Sequence, residues 1–129
     1  MRRVLSYLAV LVVLVAGDAA WLSWFAPAVV HPTLGSILRD GVRWPAVILF
    51  YLLFALAIVI FPLSRAGSLT AALFSGALFG FFAYMTYDLT NLATIKVWTT
   101  PLALTDTAWG TVLSAVAASA GYAVLSARS

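Results

Sequence analysis

Residues 76–96, GALFGFFAYMTYDLTNLATIK, decide how this chain folds. The first half of the stretch is apolar, with glycines four residues apart. The second half carries an acid, an amide, threonines and a closing lysine. At about 100° per residue, Gly76, Gly80, Tyr84, Asp88 and Asn91 fall within roughly a third of a helix circumference. One face therefore joins small residues, which let helices approach closely, to a carboxyl group that costs about 2.5–3.5 kcal/mol at the centre of a bilayer. Such a face needs other helices against it.

The remaining sequence supplies them. The 129 residues are 64% hydrophobic and 9% charged, with a mean hydropathy of +1.08, which is the composition of an integral membrane protein rather than a soluble domain. Four segments have the roughly 20 apolar residues that a membrane-spanning helix needs, at about 4–25, 44–61, 69–95 and 102–125. The expected architecture is an all-α, four-helix transmembrane bundle, with residues 1–129 forming a single integral membrane domain.

The connections fit this division. Residues 26–43, APAVVHPTLGSILRDGVR, hold two prolines and two glycines that oppose a continuous helix. Residues 62–68, PLSRAGS, read as a tight polar turn. In KVWTTP, residues 96–101, Thr100 suits the N-cap and Pro101 the first helical position. The opening MRR and the apolar run after it also resemble a secretory signal peptide, yet the run continues through AAWLSWFA to a full span and is read as the first helix.

A formal net charge of +3 comes from basic residues scattered between apolar runs, so no nucleic-acid surface is expected. Arg2, Arg3, Arg65 and Arg128 stand on the side of the termini, against Arg39, Arg43 and Lys96 opposite. This balance places the termini in the cytoplasm. Cysteine is absent, which removes disulfides and thiolate chemistry.

Alternation of the helices brings Asp18, Asp88 and Asp106 into one leaflet, with Asp40 in the loop on that side. Helix faces reinforce the convergence. Asp106 shares a face with Gly110, Leu113, Ala117 and Gly121, and Asp18 with Tyr7, Leu11, Leu14 and Phe25. The second helix offers only Tyr51 as a polar residue, in a supporting place. DAAW at 18–21 and DTAW at 106–109 share Asp-x-Ala-Trp, with Trp21 suited to the interfacial belt and Trp109 to a packing partner or pocket wall. His31, a loop histidine before proline, is read as exposed, so no metal site is expected.

These residues, with WPAVILFYLLFAL (44–56), GALFGFFAYMTYDLTNLATIKVW (76–98) and TDTAWGT (105–111), resemble the predicted membrane-protein family catalogued as domain of unknown function 2177 over nearly the whole chain. The resemblance implies a four-helix bacterial membrane protein, hence multi-pass insertion in the inner (plasma) membrane. It adds weight to Asp18, Trp21, Tyr87, Asp88, Thr90, Asn91, Asp106 and Trp109, and it carries no activity to transfer.

The leading expectation is an uncharacterised membrane protein that binds or transports a small cationic or hydrogen-bonding solute with proton coupling. Its ligand- or proton-binding residues are Asp18, Trp21, Tyr84, Tyr87, Asp88, Asn91, Asp106 and Trp109. Two acids in contact within a low-dielectric layer share one proton. Asp88 is the central acid, paired with Asp18 or Asp106, and Asn91 is suited to bridge the pair. A membrane-embedded lipid-modifying enzyme and an accessory subunit are the alternatives. No nucleophile, phosphate loop or cofactor motif favours the enzyme, no catalytic residue is assigned and no cofactor is expected. The expected partners are the lipid bilayer, a second copy in a homodimer and an unidentified small molecule.

Overall fold

A computed structural model describes residues 2–35 and 43–127. The architecture is all-α. Helix α1 covers Arg2–Phe25 and passes through a π-helical turn, Ala26–Val30, into a short α2, His31–Leu34. Helix α3 covers Trp44–Ile60, a 3-10 turn follows at Leu63–Arg65, and α4, Leu69–Thr94, and α5, Thr100–Ser126, complete the chain. The four long helices are each long and apolar enough to cross a membrane, which makes this a multi-pass membrane protein.

The helices line up in space as α3, α1, α5, α4: α1 lies between α3 and α5, and α5 packs on both α1 and α4. Burial follows this order. Helix α3 buries only Ala55 and Ile58, whereas α5 buries a broad face from Leu102 to Gly121. Membrane helices associate through close packing and interhelical hydrogen bonds rather than exclusion from lipid, so small residues mark the contacts. A Cβ on Gly76 would lie 2.5 Å from that of Ala118 and 2.7 Å from the Ser114 carbonyl oxygen. One on Gly80 would lie 2.5 Å from the Gly110 carbonyl oxygen, and one on Gly110 would collide with the Tyr84 ring. Ala117 is fully buried. The small-residue stripes expected on α4 and α5 thus face each other.

Polar side chains pin the other contacts. Ser6 Oγ donates to the Gly121 carbonyl at 2.8 Å, and Tyr7 Oη to the Leu52 carbonyl at 2.9 Å. Threonines in the polar half of α4 turn inward on their own helix: Thr90 Oγ1 donates to the Thr86 carbonyl at 2.7 Å and Thr94 Oγ1 to that of Thr90 at 2.8 Å. Neither hydroxyl then needs water, which is how an apolar helix accommodates them.

Two local expectations are corrected. The N-cap of α5 is Thr99, whose side chain accepts from the Leu102 amide at 3.2 Å. Pro101 stands at the second helical position, where it lacks an N–H, so the cap reaches the third amide instead. Pro27 does not break the chain at Phe25, because the backbone widens into a π turn and continues helically to Leu34. Arg39 and Asp40 lie outside the described residues, as does Arg128.

Replacing Gly80 with Leu forces a side chain into the α4–α5 contact and is expected to destabilise the bundle by roughly 1–3 kcal/mol or more. Leu78→Ala, on the lipid-facing side of α4, should change little. Reversible unfolding in mixed detergent micelles checks both, and a Gly80→Leu protein as stable as the parent would contradict the packing.

Candidate functional site

Asp18 closes the buried stripe of α1 formed by Ser6, Val10 and Leu14. It is 8% exposed, and both carboxylate oxygens have donors. Tyr51 Oη on α3 donates to Oδ2 at 2.5 Å, and Trp109 Nε1 on α5 donates to Oδ1 at 2.7 Å. Hydrogen bonds to a charged group are each worth about 1.5–3 kcal/mol, so this one acid ties three helices together. Trp109 is held in turn by Trp21, stacked on it at 4.6 Å and 4°, and Phe25 stacks on the far side of Trp21 at 4.8 Å. Trp21 is therefore part of the cavity wall. The two Asp-x-Ala-Trp segments meet through the Asp of the first and the Trp of the second.

Asp88 is fully buried in α4. Thr107 Oγ1 donates to its Oδ2 at 3.1 Å, and the Asp106 carboxyl stands within hydrogen-bonding reach. Among the described residues, Oδ1 of Asp88 has no hydrogen-bond partner, and neither has the indole N–H of Trp98, close by. Two carboxyl groups bond to each other only through a hydrogen on one of them. Asn91, the residue expected to bridge this pair, makes no such bond; Thr107, from the neighbouring helix, donates to Asp88. Among the described residues, no three carboxylate or imidazole groups converge as metal ligands would. The acids form a pair and a single.

A cavity of about 690 Å³ separates and connects them. Asp18 and Asp106 reach its wall, and Asp88 lies behind Asp106. Tyr84, seated on Gly110, lines the same wall within electrostatic range of all three acids. Tyr87, 56% exposed, stands at the rim edge-on to Trp98 at 5.9 Å. The end of the cavity is covered by an apolar cluster of Phe25, Leu34 and Leu102, with Val30, Val97 and Trp98 against it.

The structure thus brings together Asp18, Trp21, Tyr84, Tyr87, Asp106 and Trp109 around one cavity, with Asp88 directly behind. Asn91 does not line it. Thr90 is exposed and bonded within α4. Tyr51 contributes a direct hydrogen bond, and Thr107 and Trp98 join the site although neither stands out in the sequence. For Thr107 a subtler signal exists: it belongs to the α5 stripe Ala103, Thr107, Gly110, Ser114, Ala118, Gly121, all buried, in which a polar residue among small ones marks an interhelical contact.

The family model described as predicted membrane protein (DUF2177) matches residues 3–123, a range that contains every residue of this cavity. No curated protein and no solved structure matches the chain. With nearly its whole length covered, the chain belongs to the DUF2177 family of predicted membrane proteins.

Proposed function

We propose that the protein binds a small organic cation in the cavity between its helices and couples that binding to release of a proton, as a transport or binding protein of the bacterial inner membrane. One observation carries the reading: a cavity inside an apolar bundle presents two carboxyl groups, Asp18 and Asp106, on an aromatic wall that includes Trp21, Trp109 and Tyr84. Carboxylates supply charge, and aromatic rings attract cations most strongly where water is excluded. A neutral solute would leave the acids without recompense for their burial.

The two acid environments suit two tasks. Asp18, with a donor on each oxygen, is held in one geometry and serves as a fixed counter-charge. Asp106, at the wall and in reach of Asp88, belongs to a pair that shares one hydrogen. A cation arriving at Asp106 competes with that hydrogen for the same oxygens, and the competition is reciprocal by linkage. Four helices leave little room for a path through one chain, so the functional unit in this reading is a homodimer with cytoplasmic termini. Cross-linking in native membranes should yield dimers, and monomers alone would contradict that part.

Titration calorimetry of detergent-purified protein with benzyltrimethylammonium tests the site. Saturable binding is expected, weakened about tenfold or more by Asp106→Asn, a loss of roughly 1.4 kcal/mol; no saturable binding by the parent protein would refute the reading. Infrared spectroscopy tests the shared hydrogen. A protonated carboxyl band at neutral pH should be present in the parent and absent from Asp88→Asn, which should still fold and insert, while Asp40→Asn should leave the band unchanged. A parent protein without the band would exclude the pair.

A further inference from the structure

The cavity is closed toward the end of the bundle and weakly closed toward its side. At the end, Phe25, Leu34 and Leu102 are each buried, and an ion arriving from water would have to cross this apolar cluster bare. At the side, α3 and α4 make no extended backbone contact. They meet through rings: Phe54 with Phe79 at 5.6 Å, Phe54 edge-on to Tyr84 at 6.1 Å, and Phe61 with Phe79 at 6.2 Å. Phe54 and Tyr84 line the cavity on its inner side. Phe50 also lines it while remaining 44% exposed on the outer surface of the bundle. The wall of the cavity is therefore continuous, through aromatic side chains, with the surface that faces lipid.

We infer that the ligand is an amphipathic ammonium compound that enters from the lipid phase between α3 and α4, its charged head at Asp18 and Asp106 and its apolar chain lying between Phe50 and Phe54. This rests on the cation-binding reading above and names its substrate class and route. Charge sets the head: among the described residues that line the cavity, none is basic to offset the acids at the wall. Asp88, fully buried behind Asp106 with one oxygen unpartnered, extends the acidic end inward. Apolarity sets the chain, since apart from the two acids and the tyrosines the lining is aliphatic and aromatic. Ring contacts part by side-chain rotation, so the gap opens without unpacking α4 from α5 or α3 from α1.

The cysteine-free chain allows a reversible test. Phe54→Cys and Phe79→Cys are introduced together and joined, after folding and reconstitution into lipid nanodiscs, by a short bifunctional methanethiosulfonate that a reductant releases. Trp24 and Trp44, 59% and 61% exposed, are replaced with Phe so that fluorescence reports mainly on the cavity tryptophans. The probe is a dimethylammonium carrying a para-bromobenzyl group and a dodecyl chain, whose bromine quenches tryptophan on contact. Stopped-flow quenching should slow about tenfold or more in the linked protein and recover on reduction, because access rather than the site is blocked. The singly substituted Phe79→Cys protein, treated identically, should not slow, since Phe79 does not line the cavity. Equal rates with the bridge closed and open would overturn the lateral route while leaving the site intact. Absence of quenching in the unlinked protein, together with no calorimetric binding of benzyltrimethylammonium, would overturn both the route and the binding reading.

Discussion

A carboxyl group inside a hydrocarbon layer has to find its hydrogen-bond donors within the protein, and this requirement organises the bundle. Water is not available there to satisfy it. Asp18 draws donors from α3 and α5, and Asp88 draws one from α5. Helix α5 consequently sits at the centre, packed against both α1 and α4. Aspartate is short, so these bonds form only where helices approach closely. Gly76, Gly80 and Gly110 permit that approach, and each would meet a neighbouring helix if it carried a Cβ. The glycines and the acids are two parts of one device: the first sets the separation of α4 and α5, and the second uses it.

The same constraint gives the acids different surroundings. Asp18 is saturated with donors and braced through Trp109 by the Trp21 stack, so moving it would break contacts in three helices. The Asp88–Asp106 pair is tied less fully, with an unpartnered oxygen on Asp88 and Asp106 reaching the cavity. A site that must change its occupant needs one element of each kind. In the cation-binding reading proposed above, Asp18 retains a counter-charge for the ligand, and the Asp88–Asp106 pair offers a place where hydrogen and ligand exclude each other. Aromatic rings surround both and keep the local dielectric low, which strengthens every charge interaction inside.

Much of this was legible in the sequence, for definite reasons. Hydropathy runs end where Pro, Gly and charge interrupt them, so the spans could be read directly. Helical spacing put Gly76, Gly80 and Asp88 on one face without knowledge of any partner. The partners themselves depend on how α5 is rotated against α4, which spacing within one helix cannot express. Asn91 illustrates the point: three residues from Asp88, it looked suited to hold the acid pair, but Thr107 from the facing helix reaches Asp88 instead. Trp98 lies between α4 and α5, where no periodicity operates, and its approach to Asp88 follows only from the path of the connection. The π turn at Ala26–Val30 was hidden for a related reason, since Pro27 reads as a helix breaker unless the backbone widens to accommodate it.

In the proposed mechanism a cation and a hydrogen compete for the Asp88–Asp106 pair. This competition is tested most directly by calorimetry of benzyltrimethylammonium binding near neutral pH in buffers of different ionisation enthalpy. The slope of the observed enthalpy against the buffer's ionisation enthalpy counts the protons exchanged. Release of close to one proton per cation bound is expected for the parent protein, and none for Asp88→Asn. A slope of zero in the parent, with the cation still bound, would contradict the mechanism.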